Sequence, residues 1–480
     1  MILRWSRSRT AGPSSRAPLR VFVSLGLAVI VISGCGGATA SPKYAPGPSG
    51  QPGSPGPTQL STGTPAPTLA PGELEMAAGH AAPLAPAADG GALAATELND
   101  FGFDLLRHLD ADGNLVVSPT SIALALAMVR PGAKGQTAVE MDKVLHSFGA
   151  DGQAAEIRAL LARLASQTVY VDSNGMPVPS PDTSKLDPAV ELDVANEAFI
   201  QRDYAIESAY LDSLSSSFDA GVALLDYKRN AEAARLVINK WAADRTKGRI
   251  PQILNQGDVD DMTRLVLVNA IYLKAAWHSE FDPGQTLDRP FTTAAGPVKQ
   301  VPTMSIQAHF QYAAGPGYKA VDLPYELGGM AMTIVAPDDM ASFVRGLSAA
   351  KMADILDAEA LRDVDFWLPR FSIENRVELG SILSAMGMNV PFDPNAADFT
   401  GITTEEPLFI SKVVHQANID VVEKGTTAAA VTAVVMAAAA TAAQPEHVQF
   451  HVDKPFLYFI HDARTGAVLF MGRVDDPSAK

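Results

Sequence analysis

A change in composition near residue 90 limits which part of this chain can fold. Residues 36–90 hold eleven of the 34 prolines, mixed with Gly, Ser, Thr and Ala, and almost no aromatic side chains. Such a stretch cannot bury enough apolar surface to offset the entropy lost on ordering, so it predicts a disordered tether. Residues 91–480 are long enough to form one large domain with a sizeable core. We therefore place the folded domain there.

The charge and the cysteine content exclude several classes of protein. The formal net charge is −16, whereas a protein that binds nucleic acid through its phosphates needs a basic face. The single cysteine, Cys35, excludes intrachain disulfides, a CxxC redox pair and zinc sites built on several thiolates. No nucleic acid partner is expected.

The residues before Cys35 predict how this cysteine is used. Five arginines and no acidic residue precede an apolar run at 21–32, which has the length of a signal-peptide core and is short for a membrane span. The sequence ISGC that ends at Cys35 resembles the lipobox of bacterial lipoproteins. It implies a signal peptide over 1–34, a lipidated Cys35 that starts a tether over 35–90, and anchoring at the bacterial cell envelope, outside the cytoplasmic membrane and on its extracellular face. The alternative is an uncleaved signal anchor whose thiol has no role.

Hydrophobic periodicity in the domain predicts a mixture of helices and strands. Apolar residues at a helical spacing and N-cap signals predict helices at 96–109, 118–129 and 136–145, and helical structure continues to about residue 164. Two further helices are predicted at 205–218 and 231–247. Short β-branched or aromatic runs bounded by turn residues predict strands at 265–272, 319–323, 331–335, 364–368 and 412–422. Because these elements do not alternate as βαβ units, the order favours the α+β class over a doubly wound sheet.

Sequence patterns that would indicate an enzyme are missing. The chain contains no GxSxG, GxxxxGK[ST], HExxH or GxGxxG motif, and its nine histidines have no spacing that would converge on a metal. We therefore predict no catalytic residue, no metal site and no cofactor.

The most unusual segment of the domain is 423–443, which is rich in Ala, Thr and Val and carries no charge after Lys424. Helix propensity alone would make it a helix. It follows a predicted strand, however, and Gly425 lies where the chain can change direction. As a strand, its alternate residues from Thr426 to Val434 would form one face of small side chains that a packed core can accept.

Several motifs of the domain resemble those of the serpin family. The sequence EKGT that starts at Glu423, followed by alanines, is similar to the mobile hinge of inhibitory serpins. Further matches, in family order over about residues 91–478, are 114–141, 267–277 (LVNAIYLKAAW), 397–402, 410–415 and 450–460 (FHVDKPFLYFI). The resemblance implies one α+β domain of three β-sheets and eight or nine helices, with an exposed reactive-centre loop.

The resemblance also implies how such a chain acts. A serine protease, or a cysteine protease as a second class, attacks the loop 423–443 as a substrate and forms an acyl-enzyme. The freed loop then enters the main sheet as an extra strand and traps the protease, so the chain is an inhibitor and not an enzyme, acting as a monomer. The hinge is expected to be largely exposed before cleavage. Its implied residues are Glu423, Lys424, Gly425, Thr426, Ala428 and Ala430.

Counting from the hinge as in the family places the reactive bond at Ala439–Ala440. Because the loop is longer than usual, any bond from Met436 to Ala443 stays open. An alanine before the cut favours an elastase-like or subtilisin-like target, and a cut at Met436 would favour a chymotrypsin-like one. The lack of a basic residue after Lys424 disfavours a trypsin-like target.

The same resemblance assigns a polar cluster beneath the point where the main sheet opens and a tryptophan where the loop first enters. The tryptophan is Trp277; taken alone, it would be an ordinary core aromatic. Taken alone, each polar residue would be a buried group with satisfied hydrogen bonds. The residues of the cluster are Ser118, Ser121, Asn269 and His415.

Three other functions stay open. A non-inhibitory serpin acting as a surface binding module would tend to carry charged residues or prolines in the hinge, and none lies between Gly425 and Pro445. A hydrolase of another class would need a nucleophile motif that the chain lacks. A structural lipoprotein that only adds bulk to the cell surface would form no protease complex.

Overall fold

A computed structural model describes residues 74–109, 112–170, 188–426 and 445–479. Its helices are α1 (Ala92–His108), α2 (Pro119–Val129), α3 (Gly135–Val144), α4 (Ala154–Ala165), α5 (Ser208–Phe218), α6 (Tyr227–Arg245), α7 (Met340–Arg345), α8 (Ala349–Asp357) and α9 (Gly380–Met386). Its strands are β1 (Glu75–Ala77), β2 (Leu115–Val117), β3 (Val169–Tyr170), β4 (Pro188–Gln201), β5 (Val222–Leu225), β6 (Leu265–Ala276), β7 (Leu287–Thr292), β8 (Val298–Gly315), β9 (Tyr318–Pro324), β10 (Met330–Pro337), β11 (Ala360–Pro369), β12 (Phe371–Glu378), β13 (Lys412–Val422), β14 (Gly425–Thr426), β15 (His447–His451), β16 (Phe456–Asp462) and β17 (Val468–Val474). The predicted α+β class is confirmed.

Helix α2 lies in the middle of the domain because its sequence is apolar on every side. Ser118 caps the helix by accepting a hydrogen bond from the backbone N–H of Ser121 at 3.1 Å, and Pro119 takes the first helical position, where no N–H is needed. All its residues are buried. A helix that is buried all round needs neighbours all round, and α1, β4, β6 and β17 supply them.

The main sheet has the strand order β1-β5-β4-β6-β14-β13-β12, with β3 beside β4. Strands β6 and β13 are central and change partners along their length. At one end they pair with each other in parallel, residues 266–270 against 412–416. At the other end the short strand β14 lies between them and is antiparallel to both. The two central strands therefore diverge toward β14.

The second sheet has the order β15-β11-β8-β9-β10-β16-β17-β2, with β7 beside β8. The family resemblance implied three sheets, but the described strands form two hydrogen-bonded sheets. The cause is the 18-residue strand β8, which pairs in succession with β7, β11 and β9 and thereby joins two layers.

The main sheet separates two apolar clusters. The larger cluster surrounds α2, and the smaller one lies between the opposite face of the sheet and α6. In the smaller cluster, Phe199 of β4 meets Trp241 of α6 edge to face, with ring centroids 5.6 Å apart. Helix α6 is thus anchored over the sheet.

The predicted tether, 35–90, is too long at its carboxyl end. Strand β1 pairs with β5, and the backbone N–H groups of His80 and Ala81 donate to Asp212 Oδ1 at 2.7 and 3.1 Å. Gly221 makes this approach possible, because a Cβ there would lie 2.3 Å from the carbonyl oxygen of Ala77. The sequence could not indicate this order, which comes from pairing with a distant strand.

The rest of the proposed leader and tether, including Cys35, lies outside the described residues. Among the residues that the structure describes, no helix has the length and apolar character needed to cross a bilayer.

Candidate functional site

Strand β13 continues into a tight hairpin that contains the predicted hinge. Glu423 and Lys424 form the turn, so that Val422 pairs with Gly425. The other edge of β14 pairs with the end of β6, where Gly425 lies opposite Ala276. The start of the hinge is therefore already a strand of the main sheet.

Gly425 is required at this position for two reasons. Its φ of 147° lies in a region that residues with side chains rarely adopt. A Cβ at Gly425 would also lie 2.1 Å from the carbonyl oxygen of Ala275. Any other residue would push the hairpin out of the gap between β6 and β13.

Thr426 is held by an aromatic pair. Its side chain is 2% exposed, and its hydroxyl shares a 2.5 Å hydrogen bond with the hydroxyl of Tyr325. The ring of Tyr325 stacks on that of Trp277, with centroids 4.6 Å apart and planes within 11°. The indole Nε1–H of Trp277 donates to the carbonyl oxygen of Val422 at 2.9 Å. Trp277 thus lies directly beside the hinge.

Glu423 fixes the turn of the hairpin by its charge. Glu423 is buried, with 5% of its surface exposed. Its carboxylate accepts hydrogen bonds from the hydroxyl of Thr286 and, at 2.7 Å, from Nε of Arg370. Burial by itself would raise the pKa of Glu423, but these hydrogen bonds and the Arg370 charge hold it below its ordinary value. The carboxylate is therefore ionised at neutral pH.

The expectation of a largely exposed hinge is wrong for three of its first four residues. Glu423, Gly425 and Thr426 are buried, whereas Lys424 is exposed at the tip of the turn. The reason is that the backbone of β14 pairs with a strand on each side, and that Gly425 and Thr426 need little space. The later hinge residues Ala428 and Ala430 lie outside the described residues.

The predicted polar cluster comes together at the centre of the main sheet. Ser118 and Ser121 reach it from α2, Asn269 from β6 and His415 from β13, and all four are fully buried. Asn269 is directly opposite His415 in the parallel pairing of the two strands. The cluster thus spans the line along which β6 and β13 meet.

Hydrogen bonds in the cluster define the state of His415. Its Nε2 accepts the backbone N–H of Ser118 at 3.0 Å, so the proton is on Nδ1, which donates to Oδ1 of Asn269. Burial lowers the pKa of His415 to about 3, and the imidazole is neutral at physiological pH. Within the described part of the chain, Nδ2 of Asn269 has no hydrogen-bond partner.

Several residues of the site were not predicted from the sequence. The hydroxyl of Ser121 donates to Oδ1 of Asn196 at 3.1 Å, and Asn196 lies opposite Asn269 in the β4–β6 pairing. Its strand was not predicted, so no register was available to find it. Tyr325 and Arg370 have no local signal, because only the tertiary fold brings them to the hinge.

A gap without cross-strand pairing separates the hairpin from the polar cluster. Residues 271–274 of β6 pair with β4 alone, and residues 417–420 of β13 pair with β12 alone, among the residues described. We call this gap between 271–274 and 417–420 the slot. It is flanked by unpaired strand edges, which accept a further strand readily.

Several predicted positions lie outside the described residues, namely Cys35, Ala428, Ala430, Met436, Ala439, Ala440 and Ala443. The described chain stops at Thr426 and resumes before β15, which pairs in parallel with β11 at the edge of the second sheet. No group of His, Cys, Asp and Glu suited to a metal ion occurs in the described portion.

Comparisons with known proteins agree with this architecture. The family model described as Serpin (serine protease inhibitor) matches residues 96–477. Leukocyte elastase inhibitor A of Mus musculus is 34% identical over 386 residues, which cover 78% of this chain and 96% of that protein. An uncharacterized serpin-like protein of Methanosarcina acetivorans is 32% identical over 390 residues, covering 80% and 86% of the two chains.

Solved structures give the same fold. The thermophilic serpin tengpin in its native state matches with a TM-score of 0.70 and 23% identity, over 83% of this chain and 97% of that one. Because the family model covers most of the sequence and the mouse relative matches nearly end to end, this chain belongs to the serpin family.

Proposed function

We propose that this serpin inhibits serine proteases as a suicide substrate, trapping the acyl-enzyme when the cleaved loop 423–443 enters the main sheet. The observation that carries the proposal is the docked hairpin, because β14 starts the strand that insertion would complete. The slot below it offers unpaired edges on both sides. Insertion then needs only to extend an existing register.

Continuing this register indicates where each loop residue would go in the inserted state. Since Thr426 lies opposite Ala275 and Val421, Thr432 would come opposite both Asn269 and His415. Its hydroxyl would then face the Nδ2 of Asn269, which has no partner in the described residues. The polar cluster would thereby gain a hydrogen bond when the inserted loop fills the slot.

The length of the slot bears on the reactive bond. In the same register residue 435 would reach Lys412, the first residue of β13, and Met436 would reach Leu265, the first residue of β6. A cut before Met436 would leave part of the sheet unfilled. This supports a reactive bond between Met436 and Ala443, with Ala439–Ala440 as our assignment.

The proposed targets are elastase-like or subtilisin-like proteases, because alanine suits a shallow primary pocket. The name of the mouse relative, leukocyte elastase inhibitor A, supports this choice. Cysteine proteases with a similar preference are a second class. A non-inhibitory role as a surface binding module is the alternative.

The test is incubation of the full chain with elastase, subtilisin, chymotrypsin and trypsin. We expect a complex that survives denaturing gel electrophoresis with the first two enzymes, and none with trypsin. Mass spectrometry of the released peptide gives the cut. Cleavage by every enzyme without any stable complex would contradict the proposal and favour the binding module.

We also propose that the protein is a lipoprotein of the bacterial cell envelope. The support is the sequence alone: the basic start, the apolar run and the ISGC box at Cys35. Lipid on Cys35 would hold a monomeric inhibitor outside the cytoplasmic membrane.

A further inference from the structure

A cavity of about 510 Å³ opens between the carboxyl end of α1, the short helix α7 and the ends of β10 and β17. Its volume lies within the range of protein cavities that hold small organic molecules, about 300–1,000 Å³. None of the residues that line it belongs to the hinge, the slot or the polar cluster. The proposed inhibition therefore does not account for this cavity, which we call the α7 cavity.

The floor of the α7 cavity is apolar. Leu106 and Leu109 at the end of α1 are 5% and 8% exposed, and both border the cavity. Pro337 at the end of β10 is buried as well, and Met340 and Val344 of α7 are half-buried. The free energy falls when an apolar group displaces water from such a hydrocarbon surface. The floor therefore favours a ligand with a hydrocarbon body.

The wall of the α7 cavity carries four cationic side chains. Three of them already pair with a carboxylate of the described chain; these pairs are Arg107 with Asp104, Lys454 with Asp338 and Arg473 with Asp475. The attraction of each of these cations for a further anion is largely cancelled by its partner. The fourth cation, Arg345, therefore decides which head group the cavity favours.

Arg345 lies in the last turn of α7, is exposed, and forms no ion pair with another described residue. Its Nη2 donates to the hydroxyl of Ser342 at 2.9 Å. The carboxylate of Asp339 caps α7, since it accepts hydrogen bonds from the backbone N–H and the hydroxyl of Ser342 at 3.0 and 2.9 Å. A guanidinium has five N–H donors in a planar fork that fits both oxygens of a carboxylate. Most of the Arg345 donors are thus available to a ligand.

We propose that the α7 cavity binds a long-chain monocarboxylate, such as a free fatty acid. The hydrocarbon chain lies on the apolar floor, and the carboxylate accepts two parallel hydrogen bonds from Arg345. One cation without an ion pair matches one negative charge, and the floor matches the chain. Because the cavity is separate from the hinge and the slot, this binding site goes beyond the proposed inhibition and does not depend on it.

The test is isothermal titration calorimetry with octanoate, decanoate and dodecanoate, each below its critical micelle concentration. The protein is the full chain with Cys35→Ala, so that no acyl group of its own competes for the cavity. Each step of two methylene groups should tighten binding about fifteenfold until the chain fills the floor. Dodecyltrimethylammonium has the same chain with a cationic head and should bind about tenfold more weakly than dodecanoate, because it repels Arg345.

Two variants separate the head group from the floor. Arg345→Ala should weaken dodecanoate binding about three- to tenfold and keep the dependence on chain length. Ala341→Trp places a large ring against the cavity and should abolish binding of all three carboxylates. Arg464→Ala is the matched control, because Arg464 is also exposed and its guanidinium makes one hydrogen bond, to the backbone oxygen of Gly90 at 3.2 Å, outside the cavity.

Without ligand all variants should melt at the wild-type temperature, because the substituted residues are exposed. Saturating dodecanoate should raise the melting temperature of wild type and Arg464→Ala, but not that of Ala341→Trp. Neither heat nor a rise in melting temperature with any carboxylate would overturn the site. Equal affinity for the cationic amphiphile, or an equal effect of Arg464→Ala, would overturn it as well. Binding to phosphatidylglycerol vesicles alone, weakened by Arg345→Ala, would assign these residues to a membrane surface and overturn the proposal.

Discussion

Thr426 occupies a site that accepts a small side chain with a hydroxyl group and little else. It packs between β6 and β13 with its oxygen on Tyr325. Thr426→Arg would place a charge without a partner in this desolvated site, at a cost of several kcal/mol. Because the site is already filled before cleavage, the substitution should expel β14 from the native sheet. It should also slow insertion.

Two measurements check this prediction. Trp277 should gain solvent exposure, seen as a red shift of its fluorescence, and the ratio of cleaved inhibitor to stable complex with elastase should rise. Thr426→Ser, which keeps the hydroxyl, is the control and should resemble wild type. As much stable complex from Thr426→Arg as from wild type would contradict insertion through this hinge.

At the residue scale, motifs predicted the hinge, Trp277 and the four members of the polar cluster, and the structure brings the four members of the cluster together. The motifs did not predict which other residues contact the hinge and the polar cluster. Tyr325 and Arg370 act on the hinge only because β9 and the end of β11 lie beside it in the fold. A single sequence carries no record of such contacts.

At the scale of elements, the predicted helices and strands agree with the structure where periodicity was strong. Strand β6 was predicted to end at residue 272 and extends to Ala276, and most other strands were missed, among them β4, β8, β12, β16 and β17. In β4 and β12, apolar residues alternate with Glu, Asp and Asn, because one face lies on the α2 core and the other is partly wet. The two-residue strand β14 cannot be predicted locally, since its conformation depends on both neighbours.

The polar cluster joins three elements, α2, β6 and β13, through a neutral histidine, which leads to a pH prediction. The pKa of His415 is about 3 in the folded protein and about 6.5 in an unfolded chain. As the pH falls below 6.5, the unfolded chain binds a proton that the folded state excludes. Stability from this group is therefore lost progressively from about pH 6.5 down to about pH 3, by roughly 2 kcal/mol at pH 5.

Buried carboxyl groups act in the opposite direction. Burial raises the pKa of Glu197 to about 7 and that of Glu359 to about 8, so both stabilise the fold as the pH falls toward 4.5. The measurement is therefore the difference in unfolding free energy between wild type and His415→Asn, taken by denaturant at pH 7, 6 and 5. The advantage of wild type should shrink by roughly 2 kcal/mol over this range. A constant difference would show that His415 titrates as an ordinary histidine.

At the scale of the whole molecule, the sequence indicates one folded domain behind a leader and a tether. The domain begins earlier than composition suggested, because β1 completes the edge of the main sheet. Low hydrophobicity predicts disorder only for a segment that has no strand to pair with, and β1 pairs with β5. Amino-acid composition cannot predict that a segment is ordered by pairing with a strand that is distant in the sequence.

The proposed location depends on one atom, the Cys35 sulfur. In cells given an alkyne fatty acid, wild type should be labelled and should sediment with membranes. Cys35→Ala should lose the label and leave the membrane fraction. Its domain should still trap elastase, since the tether separates the anchor from the inhibitor. Labelling that persists in Cys35→Ala would refute the lipid anchor.

If the loop enters the slot as proposed, the uncleaved fold is not the most stable arrangement of this chain. Unpaired edges at 271–274 and 417–420 could gain about ten ladder hydrogen bonds from an inserted strand, each worth about 1 kcal/mol net. For a domain of this size, with an unfolding entropy of about 2.1 cal/mol/K per residue, about 10 kcal/mol corresponds to a rise in melting temperature of roughly 12 °C. Nicking an ordinary surface loop leaves stability unchanged or lowers it.

A single cut between Met436 and Ala443, made by catalytic amounts of subtilisin, should therefore raise the melting temperature in calorimetry by roughly 10 °C. The matched control is Thr426→Arg cut at the same bond, which should show a smaller rise because a charge without a partner opposes entry of the strand at the hinge. An unchanged melting temperature after cleavage of wild type would mean that the slot does not receive the loop, and the trapping mechanism would fail for this protein.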